Sequence, residues 1–580
     1  MSYQGFTGLL SKEERDFGDM RNAAAEFYRV NRIPQEIERA LNEIFFHGPG
    51  DVHGYLANHF TNLSAPPMIS QLKGKEVYDA RGHLSTEAEV FCIVCNKEKS
   101  MSSAAVSSHF GPKETSLDGK AKSQVRADHV MTAVQWINEP LNNMLKGQNP
   151  CDQSEVDQIL SNFFMARYLE EKDTRDKEKE ESPSSAGEPE VVLPSPLPTH
   201  AKDKKSVDKG KKSNTAEKPF PPAEPPEPVL PGSLAIGSVS LAVAKTGAQI
   251  QGIPLYKHIA ALKNRKVPTR FHIPVSLVTL LSCGKNSPGK LSLLEEVILI
   301  PKAGQRVKQI ITMTLELQKE MMRIMNTSTK AGATQAILCD NGALAGSYER
   351  PEQPLDLIAE ACANFGLALG TEIHLAINCA APELMDYAKG KYEVATGVLK
   401  SPDELVDMYQ TLIGKYPAVV ALIDPFRRED ADQWEKLSNV IGDSCSLLSD
   451  VTYKPKAPRL LGARGHILKH VHETTVSDLS RVTSEHQGSV LMGTTCSEPC
   501  GDASLPDIAV GLGLDYVKLG GLCGAERMTK YNRLISIEEE LAQQGILAFK
   551  EKHPPPLFTE KPQEQATTAE RPENMTCFQN

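Results

Sequence analysis

The sequence lacks any apolar run long enough to cross a lipid bilayer, which takes about 20 residues, so we predict no membrane span. Its first residues, MSYQGFTGLLSKEERDF, lack the basic segment and following apolar segment of a secretory signal peptide. A basic excess is also missing, because the net charge is −10 at pH 7, and this argues against a nucleic-acid-binding protein. Together these absences predict a cytoplasmic protein without nucleic-acid partners.

Cysteines at metal-binding spacing are missing as well. The chain has 12 cysteines, and its only close pairs are Cys92 with Cys95 and Cys496 with Cys500. Neither pair has a second pair or histidines at the spacing of a zinc site, so we expect reduced thiols. A Gly-x-Gly-x-x-Gly motif does not open the first strand–helix unit, and no Gly-Lys-Ser/Thr loop occurs, which argues against the common nucleotide-binding folds.

Residues 1–66 are predicted to form a helical module of two short amphipathic helices around a Gly-Pro-Gly turn. Pro34 suits the first turn of one helix, and Asp51 suits the cap of the next. The segments IPQEIERAL and GDVHGYLANHFTNL loosely resemble the docking-and-dimerisation module of cAMP-dependent kinase regulatory subunits. That resemblance implies a dimer that holds the amphipathic helix of an anchoring protein. A helical extension packed on its own chain is the alternative.

Composition divides the rest of the chain. Residues 67–169 combine strand and helix patterns and predict an α+β domain, which the helical stretch 233–265 completes. Residues 170–232 are charged and proline-rich, so we predict an exposed, disordered insertion. The polar residues 549–580 are predicted to form a disordered tail.

Between residues 266 and 548 apolar runs alternate with helical patterns, which predicts an α/β domain with a mainly parallel sheet. The apolar runs are IPVSLVTLL, EEVILIP, QAILCD, EIHLAIN, AVVALID, SLLSDV, GHILKHV, GSVLMGT and DYVKL. Their number suits a closed (β/α)8 barrel, and an open doubly wound sheet is the alternative. In a barrel the reactive groups lie at the C-terminal ends of the strands.

Two of the strand ends carry lysines. Lys518 ends the run DYVKL directly before a glycine-rich loop and a helix, an arrangement typical of an anion site. Lys469 follows the run GHIL. Two lysines on one barrel face would lower each other's pKa, and a lysine tuned in this way can act as a base near neutral pH. A solvent-facing lysine is the alternative at each position.

Four segments resemble the enolase family. EVYDARGHLSTEAEV resembles its N-terminal strand pair, and GSVSLAVAKTGAQIQGIPLYKHIA resembles its helical segment. AVVALIDPFRREDADQW and VKLGGLCGAERMTKYNRLISIEEEL resemble segments of its barrel. The resemblance covers most of the chain from about residue 69 to 548 apart from the insertion. With the extra N-terminal module, insertion and tail, the chain resembles the divergent, sperm-type enolases of animals.

The resemblance implies an α+β N-terminal domain on a (β/α)8-type barrel, usually dimeric, and the reversible dehydration of 2-phosphoglycerate to phosphoenolpyruvate in glycolysis. In the family a lysine takes the α-proton, and Mg²⁺ ions stabilise the enediolate. By position, Lys469 corresponds to that base and Lys518 to a second lysine that contacts substrate. Glu295 or Glu296 corresponds to a glutamate beside the substrate, and Ser497 corresponds to a serine that binds the phosphate.

The acidic half of the family's site is not carried over. Asn341 stands at the position of the proton-donating glutamate, and an amide has no proton to donate at neutral pH. The three carboxylates that hold Mg²⁺ fall on Asn378, Ile423 and Ser449, which suit a hard cation poorly.

Other family groups are also replaced. A phosphate-binding arginine is lost at Thr495-Cys496, and a loop serine that covers the second Mg²⁺ falls on Gly111. Asp424 and Asp450 adjoin the replaced positions. Neighbouring residues of a strand point to opposite faces, so we expect neither aspartate to substitute.

Two hypotheses follow from these residues. The first is a phosphopyruvate hydratase with strongly weakened catalysis, which binds a small phosphorylated acid and, by resemblance, Mg²⁺. The second is an enolase-fold scaffold without turnover, whose extensions tether it to a structure such as the cytoskeleton or a flagellum. Both are compatible with a homodimer or with a heterodimer formed with another enolase.

Overall fold

The computed structural model describes residues 12–107, 119–181, 222–224, 229–284, 287–327, 337–451, 460–485, 488–494, 499–548 and 558. They form two compact units. The first ends at Met68 and also includes Ile93–Lys99, and the second contains the remaining residues. Within the described ranges no helix is both long and apolar enough to span a membrane.

The first unit contains three helices rather than the two predicted: α1 (Lys12–Val30), α2 (Ile33–His47) and α3 (Val52–Asn62). Pro34 lies in the first turn of α2, as predicted. Asp51 caps α3 by accepting the backbone N–H of Gly54 at 2.8 Å. The helices α2 and α3 are connected by His59 Nδ1, which lies 3.0 Å from Glu43 Oε2.

Most of the large apolar side chains of these helices are exposed. Phe45 and Phe46 are 85% and 83% exposed, and α3 contains no buried residue. Among the described residues of the unit, the other exposed large apolar or aromatic side chains are Met20, Phe27, Tyr28, Val30, Ile37, Leu41, Val52, Phe60, Leu63, Met68 and Ile93. Contact of such side chains with water is unfavourable.

The N-terminal part of the second unit is an α+β domain, as predicted. A sheet of order β1-β2-β3 contains β1 (Met68–Tyr78), β2 (Leu84–Val94) and β3 (Lys97–Ser107), with the turn residues Ile93–Lys99 assigned to the first unit. The helices of this part are α4 (Gly119–Trp136), a π-helical turn (Ile137–Leu141), α5 (Asn142–Leu145), α6 (Gln153–Glu181), α7 (Leu234–Gln251) and α8 (Leu255–Asn264). Small residues let α7 be buried along nearly all of its length.

The boundary predicted at residue 170 is wrong, because α6 continues to Glu181. The continuation is rich in Glu, Lys and Arg, which are good helix formers, and Arg175 pairs with Glu171 at 3.1 Å one turn earlier. Further along the predicted insertion, the Ala223 N–H donates to the Tyr387 carbonyl at 2.8 Å, and Leu230 is buried. Residues 182–221 and 225–228 of the predicted insertion lie outside the described ranges.

The C-terminal part alternates strands and helices. Its strands are β4 (Phe271–His272), β5 (Val275–Ser282), β6 (Glu296–Pro301), β7 (Ile337–Leu338), β8 (Leu344–Ala345), β9 (Ile373–Asn378), β10 (Met385–Asp386), β11 (Lys391–Ala395), β12 (Val398–Lys400), β13 (Val419–Ile423), β14 (Ser446–Asp450), β15 (Ala463–Leu468), β16 (Ser489–Met492), β17 (Tyr516–Lys518) and β18 (Leu547–Ala548). Its helices are α9 (Val307–Thr327), α10 (Glu352–Phe365), a 3₁₀ turn (Ala381–Leu384), α11 (Pro402–Lys415), α12 (Ala431–Ile441), α13 (Val476–Glu485), α14 (Ser504–Gly511) and α15 (Ala525–Gln543).

Eight of these strands close into a barrel in the order β5-β6-β9-β13-β14-β15-β16-β17, with β17 paired to β5. The barrel is therefore confirmed over the open sheet. The strand β6 is antiparallel to both of its neighbours, whereas the other pairs are parallel. The apolar run QAILCD is not a barrel strand, because only Ile337–Leu338 pair with β8 in a hairpin and both residues are exposed.

The barrel interior is filled by aliphatic side chains and by one aromatic residue of the predicted tail. Phe558 is 1% exposed and packs with the interior cluster, its ring 4.4 Å from that of Tyr516. Its carbonyl accepts the hydroxyl of Ser446 at 3.1 Å. Tyr516 and Ser446 begin their strands, so Phe558 closes the N-terminal end of the barrel. The prediction of a wholly disordered tail is wrong at this residue, because burying a large apolar ring outweighs the polar character of its neighbours.

We expect Phe558→Ala to destabilise the barrel by about 3–5 kcal/mol, because it leaves a cavity at the closed end. The readout is the thermal unfolding midpoint of the full chain. Phe365→Ala is the matched control, since Phe365 is 43% exposed on α10. Equal small shifts for the two variants would contradict the role assigned to Phe558.

Candidate functional site

One edge of the barrel collects the predicted site residues. The C-terminal ends of the parallel strands meet there, and the antiparallel β6 contributes its N-terminal end. The register places Glu296 opposite Asn378, and Asn378 opposite Ile423. Ile423 pairs in turn with Leu448, next to Ser449. The site is therefore built from neighbouring strand ends.

A buried carboxylate, that of Glu296, organises one half of this edge. Glu296 is 4% exposed and forms an ion pair with Lys518. It also accepts the side-chain amides of Asn378 at 3.1 Å and Asn341 at 3.2 Å. Burial by itself would raise the pKa of Glu296, but Lys518 and the two amides outweigh burial and lower that pKa. The carboxylate is therefore ionised at neutral pH.

The alternative glutamate, Glu295, is placed differently. It precedes β6, and its carboxylate lies beside Gly284, where an added Cβ would come within 2.0 Å of Oε2. Its backbone N–H donates to the Asn378 carbonyl at 3.0 Å. Glu296 forms the ion pair with Lys518 described above.

Lys469 and Asp450 form the other half of the edge. Lys469 Nζ lies 2.7 Å from Asp450 Oδ2, and their side chains are 24% and 12% exposed. The Asp450 N–H donates to Asp424 Oδ1 at 3.0 Å. Asp450 therefore lies beside the candidate base, and the expectation that neither aspartate substitutes for a metal carboxylate stays a prediction. Strand alternation does not decide the direction of Asp424, because β13 ends at Ile423 and Asp424 has a φ of 46°, in the left-handed region.

The acidity of Asp424 is reduced by its surroundings. Burial and the adjacent Asp450 carboxylate raise the pKa of Asp424 to about 7, although the Asp450 N–H, Lys469 and Arg428 oppose the change. Protonation would therefore compete with any cation for the Asp424 carboxylate.

Arg428 was not identified from the sequence. It is half-buried, and its Nη1 donates to Ser449 Oγ at 3.1 Å. The preceding Arg427 has a different role, because its Nη2 donates to Asp430 at 2.9 Å. The sequence feature that could have identified Arg428 is the charged segment FRRED, which closely follows the end of β13. A cation that becomes half-buried there needs an anionic or polar partner.

The glycine-rich loop after β17 supports Asn341. The Gly521 N–H donates to the Asn341 carbonyl at 2.8 Å, and a Cβ on Gly521 would lie 2.1 Å from the Gly342 carbonyl oxygen. Only glycine permits this approach. Lys518 itself pairs with Glu296, and its expected part in an anion site stays a prediction.

The residues at the family's metal positions do not fit Mg²⁺. Asn378 donates its amide to Glu296 and accepts the Ala380 N–H at 3.2 Å, Ile423 is apolar, and Ser449 accepts from Arg428. A hard cation needs several anionic oxygens, which these three positions do not supply. Among the residues that the structure describes, no group of three or more His, Cys, Asp or Glu side chains is arranged to hold a metal. Ser497, Thr495-Cys496 and Gly111 lie outside the described residues.

A small cavity of about 60 Å³ adjoins the site. Its lining includes Lys469, His470, Asp502 and Lys530. Lys530 is 4% exposed, and burial lowers its pKa to about 7. Because an unfolded lysine keeps its ordinary pKa, the folded chain binds fewer protons here between about pH 7 and 10.5.

Lys530 is therefore predicted to reduce stability most below pH 7 and progressively less as the pH rises toward 10.5. We expect Lys530→Met to stabilise the chain at pH 6, and this gain to be about 2 kcal/mol smaller at pH 9. Urea unfolding at both pH values measures the change. Lys308→Met, at an exposed position on α9, should show no such pH dependence. A gain that is independent of pH would contradict the prediction.

The barrel is closed, has eight strands of which one is antiparallel, and carries lysine–carboxylate pairs at its C-terminal edge. These features define a barrel of the enolase type. Residues 270–554 match the family model described as the enolase C-terminal TIM barrel domain. The chain is 49% identical over 570 residues to Enolase 4 of Danio rerio, covering 96% of this chain and 98% of that protein. It is 45% identical over 575 residues to Enolase 4 of Xenopus laevis, covering 97% and 98%. It is 42% identical over 592 residues to Enolase 4 of Homo sapiens, covering 96% and 93%. The chain belongs to the enolase family.

Proposed function

We propose that this chain binds a small phosphorylated acid of the 2-phosphoglycerate and phosphoenolpyruvate type, and that it interconverts these two compounds with strongly weakened turnover. The observation that carries the proposal is the pair of lysine–carboxylate contacts, Lys518 with Glu296 and Lys469 with Asp450, at one edge of an enolase-type barrel. Family membership supports the choice of ligand.

Binding is supported by the cations at this edge. Lys518 is 11% and Lys469 is 24% exposed, so both ammonium groups lie in partly desolvated surroundings. Charge-assisted hydrogen bonds to phosphate or carboxylate are strong in such surroundings. Arg428 adds a third cation beside Ser449.

Weakened turnover is supported by the ion-pair partner of Lys469 and by the hydrogen-bond partner of Asn341. Asp450 stabilises the ammonium form of Lys469, which must be neutral to take the α-proton. Asn341 cannot protonate the leaving hydroxide, and its amide is instead donated to Glu296. The loss of a general acid and the loss of electrophilic stabilisation each reduce the rate by roughly 10² to 10⁴.

We expect purified full-length protein to form phosphoenolpyruvate from 2-phosphoglycerate slowly, and Lys469→Ala to abolish this activity. Absorbance of phosphoenolpyruvate across a magnesium titration measures the turnover. Lys308→Ala on the exposed face of α9 is the control and should keep the wild-type rate. A wild-type rate no higher than that of Lys469→Ala at every magnesium concentration would contradict the catalytic part of the proposal.

The exposed apolar side chains of α2 favour a second function, that of a scaffold. In this function the helical module joins two copies of the chain or binds the amphipathic helix of a partner, and so tethers the barrel to a structure such as the cytoskeleton or a flagellum. The observation that supports it is the exposure of Phe45, Phe46 and Leu41 on one short helix.

Self-association through this module predicts that the double variant Phe45→Ser, Phe46→Ser weakens the oligomer at least about tenfold, because two exposed rings leave the contact. Sedimentation of the full chain over a range of concentrations measures the effect. Phe365→Ser, at an exposed position on the barrel helix α10, is the control. An oligomeric state identical in the double variant and the wild type would contradict self-association through α2.

A further inference from the structure

Arg428 contacts a residue that stands where the family resemblance would place a metal ligand. Its guanidinium Nη1 is 3.1 Å from the hydroxyl of Ser449, which is fully buried. Ser449 is the residue that corresponds to one of the three Mg²⁺ carboxylates. A fixed side-chain cation therefore contacts a position that, with an aspartate, would face a metal ion.

The groups around Arg428 favour its charged form. Burial lowers the pKa of Arg428, but the carboxylates of Asp424, Glu429 and Asp450 oppose this effect, and a guanidinium remains protonated at neutral pH. A permanent positive charge here repels a divalent cation.

We propose that Arg428 replaces the metal as the cation of the ligand site, and that its guanidinium binds the carboxylate of the small phosphorylated acid, so that binding does not require Mg²⁺. This inference rests on the proposed function. A guanidinium is planar and carries five N–H donors, a geometry that matches the two oxygens of a carboxylate. The hydrogen bond to Ser449 holds the side chain at the barrel edge, where Lys469 and Asp450 also lie.

The assignment divides the ligand between two sets of residues. Arg428 binds the carboxylate, and the ammonium groups at the barrel edge attract the phosphate. A guanidinium supplies one positive charge, whereas two metal ions supply four, so Arg428 can bind a carboxylate but stabilises a dianionic enediolate far less than a pair of metal ions would. The substitution thus favours retained binding over turnover.

The test is calorimetric titration of phosphoenolpyruvate into the full chain, once with EDTA and once with excess magnesium. We expect equal affinity in both conditions. Arg428→Gln should weaken binding in EDTA by about 10- to 100-fold, the range for losing a charged hydrogen-bond donor, and Arg428→Lys should recover part of the loss. Arg481→Gln is the matched control, because Arg481 lies on α13 and pairs with Asp478 and Glu485.

Glycerol 3-phosphate is a phosphate monoester without a carboxylate, so its affinity reports phosphate binding separately from carboxylate binding. Arg428→Gln should leave its affinity unchanged, and a loss equal to that for phosphoenolpyruvate would overturn the carboxylate assignment. Binding of phosphoenolpyruvate that requires magnesium, or that is unchanged in Arg428→Gln, would overturn this inference and leave the proposed function intact. No binding in either condition would overturn both. Thermal unfolding of each variant confirms that it is folded.

Discussion

The buried ion pair between Glu296 and Lys518 is the contact on which the rest of the site depends. Removing either partner would leave an uncompensated charge in a largely desolvated position, which costs several kcal/mol. The pair connects β6 with β17, the two strands on either side of β5, and therefore also fixes the barrel mouth where its sheet closes. The antiparallel direction of β6 is essential to this arrangement, because it brings the first residue of that strand to the edge formed by the last residues of the others.

The asparagines at two former acid positions are explained by this ion pair. Carboxylates at positions 341 and 378 would place like charges beside Glu296, whereas amides at both positions donate hydrogen bonds to it. The side-chain carbonyl of Asn378 also accepts a hydrogen bond from the Ala380 N–H. The replacements are therefore not separate losses. They form one hydrogen-bonded network in which a single carboxylate is paired with one lysine and accepts from two amides.

Much of the barrel could be predicted from the sequence, because its buried parallel strands are continuous apolar runs separated by long amphipathic helices. QAILCD was wrongly included because a short hairpin strand and a barrel strand have the same apolar pattern, and only pairing distinguishes them. Lys469 and Lys518 were identified from the strand ends, and Glu295 or Glu296 was assigned by resemblance. Their partners were not, because the Asp450 contact depends on where β14 ends and the Arg428 contact depends on a loop conformation. The burial of Phe558 was missed because nothing in a polar tail signals that one ring enters the barrel.

The charge balance at the barrel edge connects these observations. In the family, metal ions compensate both the carboxylates that hold them and the negative charge of the substrate. Here the aspartates that remain are compensated differently, since Asp450 pairs with Lys469 and Asp424 has a raised pKa. Arg428 then adds a positive charge without a metal and without the carboxylates that a metal needs. An anionic ligand would meet a site whose cations are all covalently part of the chain, so its affinity would depend on pH and salt rather than on the supply of a divalent ion.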